Sequence, residues 1–236
     1  MNKTKIEWTE VTWNPSTGCT KISEGCKNCY AEKMAKRLKS MGIPKYKNGF
    51  NLEVHSETLT EPYSWKKSKV VFVNSMSDLF HEEMPFSFIQ EVFSVMNNNP
   101  QHIFQVLTKR ADILEQYSPI LNWSENIWMG VTVESKHHYG RINHLRNSGA
   151  FVKFLSCEPL LSTLNDINLF EIDWVIVGGE SGAKSRPIKK GWVIEIRDIC
   201  QSQNIPFFFK QWGGSNKKKT GSILDGVYYK NIPLDF

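Results

Sequence analysis

Seven short apolar runs, rich in β-branched and aromatic residues, recur along the chain: Val11 to Trp13, Val70 to Asn74, His102 to Leu107, Ile127 to Val133, Phe151 to Leu155, Trp174 to Val177 and Phe207 to Lys210. Their near-continuous apolarity suits strands buried on both faces. Between them Tyr30 to Ser40, Phe86 to Asn97, Ala111 to Tyr117, Ser135 to Asn147 and Lys189 to Gln201 carry helical patterns, the second introduced by Pro85. A βαβα order throughout predicts a parallel sheet, because parallel neighbours need crossover connections.

Parallel strands can close into a barrel or lie open and doubly wound, and the polar residues favour the barrel. Almost every run is followed at once by a compact polar group: Ser75-Met76-Ser77-Asp78, Thr108-Lys109-Arg110, Glu134-Ser135, Ser156-Cys157-Glu158, Gly178-Gly179-Glu180-Ser181 and Gln211-Trp212. In a barrel these groups meet on one rim, whereas an open sheet collects its site at one switch point and leaves several of them stranded. The expected fold is therefore α/β, a complete or partial (β/α) TIM-type barrel with parallel strands. The 236 residues suit a single barrel domain, 1–236. A 41–69 insertion without clear period is expected to be a lid or flap. Over 213–236 a C-terminal basic loop and hairpin are expected, with Lys217 to Lys219 followed by an Asp225-Gly226 turn.

The N-terminus lacks the apolar core of a signal peptide, and no apolar run approaches the roughly 20 residues that span a bilayer. A cytoplasmic location with no membrane partner is expected. The net charge of +5 suits a nucleic-acid partner but is common without one. There are five cysteines, an odd number, and three of them crowd into one short stretch. In a reducing compartment that arrangement points to metal or catalytic chemistry before disulfides.

Six residues separate Cys19 from Cys26 and two separate Cys26 from Cys29, with Gly18 and Gly25 each just before a cysteine. Glycines let the backbone wrap tightly enough for three sulfurs to face one point. The stretch follows the first strand and precedes the helix at Tyr30, so it belongs on the functional rim. Three readings stand. A structural zinc site needs a fourth ligand, for which Cys157 and the histidines are candidates, and zinc usually recruits its ligands as two local pairs. Three buried free thiols fit poorly with Lys21, Glu24, Lys27 and Asn28 in the same loop. An iron-sulfur cluster with one iron left open needs only these three thiolates.

The arrangement Trp8-Thr9-Glu10, Trp13-Asn14-Pro15, Gly18-Cys19, Gly25-Cys26 and Cys29-Tyr30-Ala31 resembles a phage-associated family of three-cysteine-motif proteins of unassigned function. The likeness continues through Asn74 to Phe80, Leu107 to Arg110, Glu158-Pro159-Leu160 and Gly178 to Gly182. That family in turn resembles radical S-adenosylmethionine enzymes. The resemblance implies a four-iron four-sulfur cluster on Cys19, Cys26 and Cys29, its open iron chelating S-adenosylmethionine. One-electron reduction would then release a 5′-deoxyadenosyl radical that abstracts hydrogen from the substrate. It also implies an electron donor such as flavodoxin or ferredoxin. The commonest pattern of those enzymes has three residues between the first two cysteines, and an aromatic where Asn28 stands here; Tyr30 would supply that aromatic from the other side.

On the same analogy Ser75, Ser77 and Asp78 would hold the methionine amine, Lys109 or Arg110 the methionine carboxylate, and Glu134 the ribose hydroxyls. Gly178 and Gly179 offer backbone amides that can approach a cofactor or phosphate, though this is not a P-loop. Glu158 and Glu180 are the candidate catalytic residues. The plainer alternatives are helix caps for Asp78 and Glu134, surface charge for Lys109 and Arg110, and a tight turn for the glycines. His137 and His138 would project about 100° apart on a helix and read as surface residues. Lys217 to Lys219, with Trp212, Tyr228 and Tyr229 nearby, could serve a nucleic-acid edge. The leading expectation is a radical S-adenosylmethionine enzyme whose candidate substrate is a nucleotide, DNA or RNA. The rivals are a zinc-stabilised nucleic-acid-binding protein without catalysis, and a hydrolase using Glu158 and Glu180.

Overall fold

The computed structural model of the chain describes residues 4 and 6–233. β1 (Val11–Trp13) leads to β2 (Ser16–Thr17), which pairs antiparallel with β3 (Glu53–Val54) beyond α1 (Tyr30–Ser40). There follow β4 (Val70–Val73), α2 (Phe86–Asn97), β5 (Ile103–Thr108), α3 (Ala111–Tyr117), β6 (Ile127–Thr132), α4 (Gly140–Arg146), β7 (Val152–Cys157), β8 (Trp174–Gly178), α5 (Lys190–Ser202) and β9 (Phe207–Gln211). A short α6 (Lys217–Thr220) and the antiparallel hairpin β10 (Ile223–Leu224) and β11 (Val227–Tyr228) follow. The side chains of Lys217 and Lys218, and residues 234–236 of the expected C-terminal unit, lie outside the described residues.

Seven strands form one parallel sheet in the order β1-β4-β5-β6-β7-β8-β9. β1 and β9 do not pair, so among the described residues the barrel is partial, not complete. The sheet nevertheless curls. The Trp8 ring lies 4.6 Å from Phe72 on β4 and 6.3 Å from Trp174 on β8. Those strands are four places apart, about 19 Å in a flat sheet at 4.8 Å spacing. The outer edge of β9 is covered by the C-terminal segment, which bridges Phe208 to Lys230 in antiparallel sense and accepts Phe209 N–H at Tyr229 O (2.9 Å). A covered edge leaves no template for closure onto β1.

Strand alternation divides the side chains between two apolar layers. Val71, Val73, Val106, Met129, Leu155, Val175 and Val177 face the helices with Ile89, Leu114, Leu145 and Ile196. Phe72, Trp128, Phe154, Trp174 and Phe208 fill the concave side around Trp8. Gly130 makes room there, since a Cβ at that position would meet the Phe154 ring at 2.4 Å. Continuing the concave parity toward the C-terminal strand ends brings up Lys109, Thr132, Glu134, Ser156, Glu158 and Lys210, the polar mouth of the half-barrel.

Two expectations change. The chain is not βαβα throughout: residues 158–173 join β7 to β8 without a helix, and their apolar Leu160, Leu164, Ile167, Leu169 and Ile172 pack irregularly into the outer layer. The helix expected over 135–147 starts with a 3-10 turn, Lys136–His138, before α4. Ser135 is extended there, its hydroxyl held by Glu24 at 2.7 Å. The 41–69 insertion is built of short 3-10 turns and β3, tied back by the Thr17 Oγ1 to His55 Nε2 hydrogen bond (2.8 Å) and by Trp13 Nε1 donating to Thr58 O (2.9 Å).

Because Trp8 joins β4 to β8 across the concave side, Trp8→Ala should cost about 3–5 kcal/mol, the usual range for emptying a buried aromatic site. Urea unfolding followed by circular dichroism measures it; a loss below about 1 kcal/mol would mean that the curled face does not pack on this ring.

Candidate metal centre

Residues 18–29 form a loop at the C-terminal end of the sheet, between β2 and α1, and contain one short 3-10 turn, Glu24–Cys26. With so little regular structure of its own, the loop is held by its surroundings. Gly18 donates its N–H to Met76 O (2.9 Å), Ser77 Oγ donates to Gly18 O (2.6 Å), and Cys19 N–H reaches Phe50 O (3.1 Å). Gly18 has φ +87°, and a Cβ there would sit 1.9 Å from Asn51 O, so two features of its site require glycine. Asn14 Oδ1 accepts from Ser75 Oγ (3.1 Å) and Met76 N–H (3.0 Å), binding the β1 end to the loop after β4.

The remainder is fixed from the strand ends after β5, β6 and β8. Arg110 donates to Thr20 Oγ1 (2.6 Å) and to Cys19 Sγ (3.4 Å). Ser23 donates to Glu134 Oε1 (2.6 Å), and Gly25 lies so close that a Cβ would meet the same oxygen at 2.4 Å. Asn28 donates to Glu180 Oε2 (2.9 Å) and to Lys184 O (3.0 Å). Cys19, Cys26 and Cys29 are each half-buried, and Cys29 is the N-cap residue of α1.

The sulfurs make local contacts in this structure: Cys19 donates to Thr20 O (3.3 Å), and Cys26 Sγ lies 3.5 Å from Ser23 Oγ. Among the described residues no three side chains of Cys, His, Asp and Glu are gathered as a metal site. The donor set nevertheless fits a three-thiolate seat, since three half-buried thiols share one pinned loop beside the cations Lys21, Lys109 and Arg110. Cys157 does not belong to it. It is fully buried in the helix-facing layer with Cys200, where burial pushes its thiol well above the ordinary range, so it is no candidate fourth ligand.

The other rim residues divide by what they touch. Asp78 accepts from Phe80 N–H (3.1 Å), Thr108 Oγ1 (2.6 Å), Lys109 N–H (3.1 Å) and Arg110 (3.1 Å). Glu134 accepts from Ser23 and from Arg141 (2.7 Å). Glu180 accepts from Asn28 and from Arg186 through N–H (2.9 Å), Nε (3.0 Å) and a terminal nitrogen (2.5 Å). Gly179 donates its N–H to Gln211 O (2.9 Å), and a Cβ there would meet Trp212 O at 2.0 Å. Glu158 pairs with Lys210 on the concave side (3.0 Å) and lies over Gly178. Lys109 Nζ donates to Thr132 Oγ1 (3.3 Å) and makes no ion pair among the described residues. Tyr30 is exposed at the start of α1.

Beside the loop an open depression of about 640 Å³ is lined by Glu24, Ser135, Lys136, Leu161, Thr163 and Arg186. Sequence reasoning missed Asn14, Ser23, Glu82, Arg141, Arg186 and Lys210. For Lys210 a signal was available, because it lies two residues from Phe208 and therefore shares its face.

A family model described as a protein of unknown function, DUF5131, matches residues 3–233. The chain belongs to the DUF5131 family. No curated protein matches its sequence. In structure the chain is similar to a spore photoproduct lyase mutant with bound AdoMet and dinucleoside spore photoproduct, at 10% identity and TM-score 0.47, covering 79% of this chain and 59% of that one. A second spore photoproduct lyase structure, complexed with dinucleoside spore photoproduct, gives 11% identity, TM-score 0.45, and coverage of 78% and 58%. The alignment thus spans less than two thirds of either lyase chain.

The electrostatics of this DUF5131 site separate its thiols. For Cys19, burial and the Asp78 charge outweigh Arg110 and push the pKa up to about 11. For Cys26, burial is overcome by Lys109 and by hydrogen bonds from Ile22 and Ser23, and the pKa falls below the thiol norm. Burial also opposes ionisation of Glu180, yet Arg186 and Asn28 override it and hold the carboxyl at about 2, from a usual 4.5.

A depressed carboxyl pKa stabilises the fold above the unfolded value, and that contribution disappears as pH falls through the folded value. The stability difference between wild type and Glu180→Gln should therefore be constant above pH 4.5 and shrink from there towards pH 2. At neutral pH it should be about 2 kcal/mol, the worth of a charged hydrogen-bond set, read from urea unfolding at stepped pH. A difference independent of pH down to 2 would assign the loss to packing alone. Separately, Gly25→Ala should push the loop off Glu134, and if the cysteines hold a metal its uptake should fall at least tenfold, the usual effect of disturbing a metal's supporting contacts. Its circular dichroism should stay native, and unchanged metal content would show that the loop tolerates the shift.

Proposed function

We propose that this protein is a radical S-adenosylmethionine-type enzyme in which Cys19, Cys26 and Cys29 hold a four-iron four-sulfur cluster, with a nucleotide or nucleic acid as substrate. The observation that supports this reading is the cysteine loop itself: three half-buried thiols on a segment pinned from several strand ends at the mouth of a parallel half-barrel. The motif resemblance, including its phage association, points the same way. When bound, the cluster would supply one electron, from a donor such as flavodoxin or ferredoxin, to cleave S-adenosylmethionine to a 5′-deoxyadenosyl radical.

The chain's own residues then divide into those that hold the loop and those that face a ligand. Ser77, Asp78, Glu134 and Glu180 hold the loop and its cations through the bonds described above, and Ser75 ties the segment after β4 to the end of β1 through Asn14. Lys109 takes the methionine carboxylate, as a half-buried ammonium without an ion-pair partner among the described residues and close enough to Cys26 to lower its pKa. Glu158 and Lys210, paired across the concave mouth, orient the substrate, which enters by the depression beside Glu24. Tyr30 flanks the third cysteine from outside. No helix among the described residues is long and apolar enough to cross a membrane, and free thiols on such a loop suit the reducing cytoplasm.

Anaerobic reconstitution with iron and sulfide should give a brown protein with about four irons per chain. With reductant it should cleave S-adenosylmethionine to 5′-deoxyadenosine, while Cys26→Ala loses both properties. A colourless protein that leaves the sulfonium intact would sink the proposal; bound zinc after aerobic purification, with unfolding by chelator, would establish the zinc reading instead.

A further inference from the structure

Arg110 stands at the end of β5, 4% exposed, with every arm of its guanidinium engaged. Nε donates to Glu82, one terminal nitrogen donates to Asp78 Oδ2 (3.1 Å) and Cys19 Sγ (3.4 Å), and the other donates to Thr20 Oγ1 (2.6 Å) and Thr20 O (3.4 Å). Asp78 is itself immobilised by Phe80 N–H, Thr108 and Lys109 N–H. Thr20 Oγ1 in turn donates a hydrogen bond to Glu82 Oε1 (2.7 Å), which closes a ring of contacts around the guanidinium. Carboxylates on two sides thus fix the plane of the fork, and one N–H is left directed at the first cysteine sulfur. An arginine in such a place is charged at every accessible pH.

We infer that Arg110 is a positioning residue that sets the one-electron reduction potential of the centre held by Cys19, Cys26 and Cys29; the inference rests on the cluster proposed above. Reduction by an external one-electron donor adds negative charge to the cluster and its thiolates. A fixed cation with an N–H on a ligating sulfur stabilises the reduced state more than the oxidised one, and hydrogen bonds to sulfur are among the levers that set such potentials. Glu82 works against it. Its carboxylate, about half exposed, neutralises part of the guanidinium charge without touching the sulfur. The two residues therefore make contributions of opposite sign, which a merely structural role for either would not produce. Lys109, near Cys26, is left in place by both substitutions and supplies a constant background.

The test reconstitutes wild type, Arg110→Gln and Glu82→Gln anaerobically, counts iron and sulfide, and reads the midpoint potential by electron paramagnetic resonance during dithionite titration. Arg110→Gln should lower the reduction equilibrium constant at least tenfold, a shift of about 59 mV to more negative potential for one electron. Glu82→Gln should shift the potential the other way. Variants that carry wild-type iron and titrate with the wild type overturn the inference and leave the cluster standing, whereas wild type that takes up no iron overturns both. Should Arg110→Gln not fold, Glu82→Gln decides: a positive shift supports the inference, and no shift or a negative one refutes it.

Discussion

Three buried carboxylates beneath one loop hold the site together. Asp78, Glu134 and Glu180 are 6%, 0% and 7% exposed, and each takes part of its hydrogen bonding from the cysteine loop or from a cation that grips it. A carboxylate removed from water to this extent is tolerated only when charges and donors surround it. Those donors are Arg110 and Thr108, Ser23 and Arg141, and Asn28 and Arg186. Removing the charged donor from such a pair leaves the carboxylate buried and uncompensated, at a cost of about 3–5 kcal/mol. Loop and sheet therefore stabilise each other. A segment with a single 3-10 turn is thereby tied to the strand ends after β4, β5, β6 and β8.

The half-barrel determines which end of the sheet is available. Trp8, Trp174, Phe208 and their neighbours close the concave side, and the C-terminal segment covers the edge of β9. The C-terminal strand ends are left both concave and polar. The parity that buries Phe154 and Phe208 also presents Glu158 and Lys210, so one pattern of alternation builds the apolar plug and the polar mouth above it.

Much of this could be read from the chain. The parallel sheet, the helices Tyr30–Ser40, Phe86–Asn97 and Ala111–Tyr117, and the Asp225-Gly226 hairpin all follow from local periodicity and turn chemistry. So did the gathering of polar groups at strand ends, because a βαβ rule places them there whatever their partners. What could not be read was who bonds to whom. Glu180 and Asn28 are 152 positions apart in the chain, and Ser23 and Glu134 are 111 apart. No local pattern encodes such pairs, so the bonds by which Glu134 and Glu180 also grip the loop could not be foreseen. The β7 to β8 connection was missed for a related reason, since its leucines and isoleucines pack on the outer layer without helical period.

The protein's own contacts hold the loop, but they leave its thiols short of positive charge. Lys109, Arg110 and Lys21 stand by the sulfurs, but Arg110 already faces two carboxylates and Lys21 pairs with Glu32, so three simultaneous thiolates would lack full compensation. Cys19 reflects this, with a pKa near the upper end of the thiol range, at about 11, while Cys26 beside Lys109 goes the other way. Under the proposed function the metal supplies the missing positive charge, and the thiol protons leave as it arrives, which ties occupancy to pH. In a small zinc finger the metal also assembles the backbone. Here the contacts from Ser77, Arg110, Glu134 and Glu180 also hold the loop, so a metal would not be its sole support.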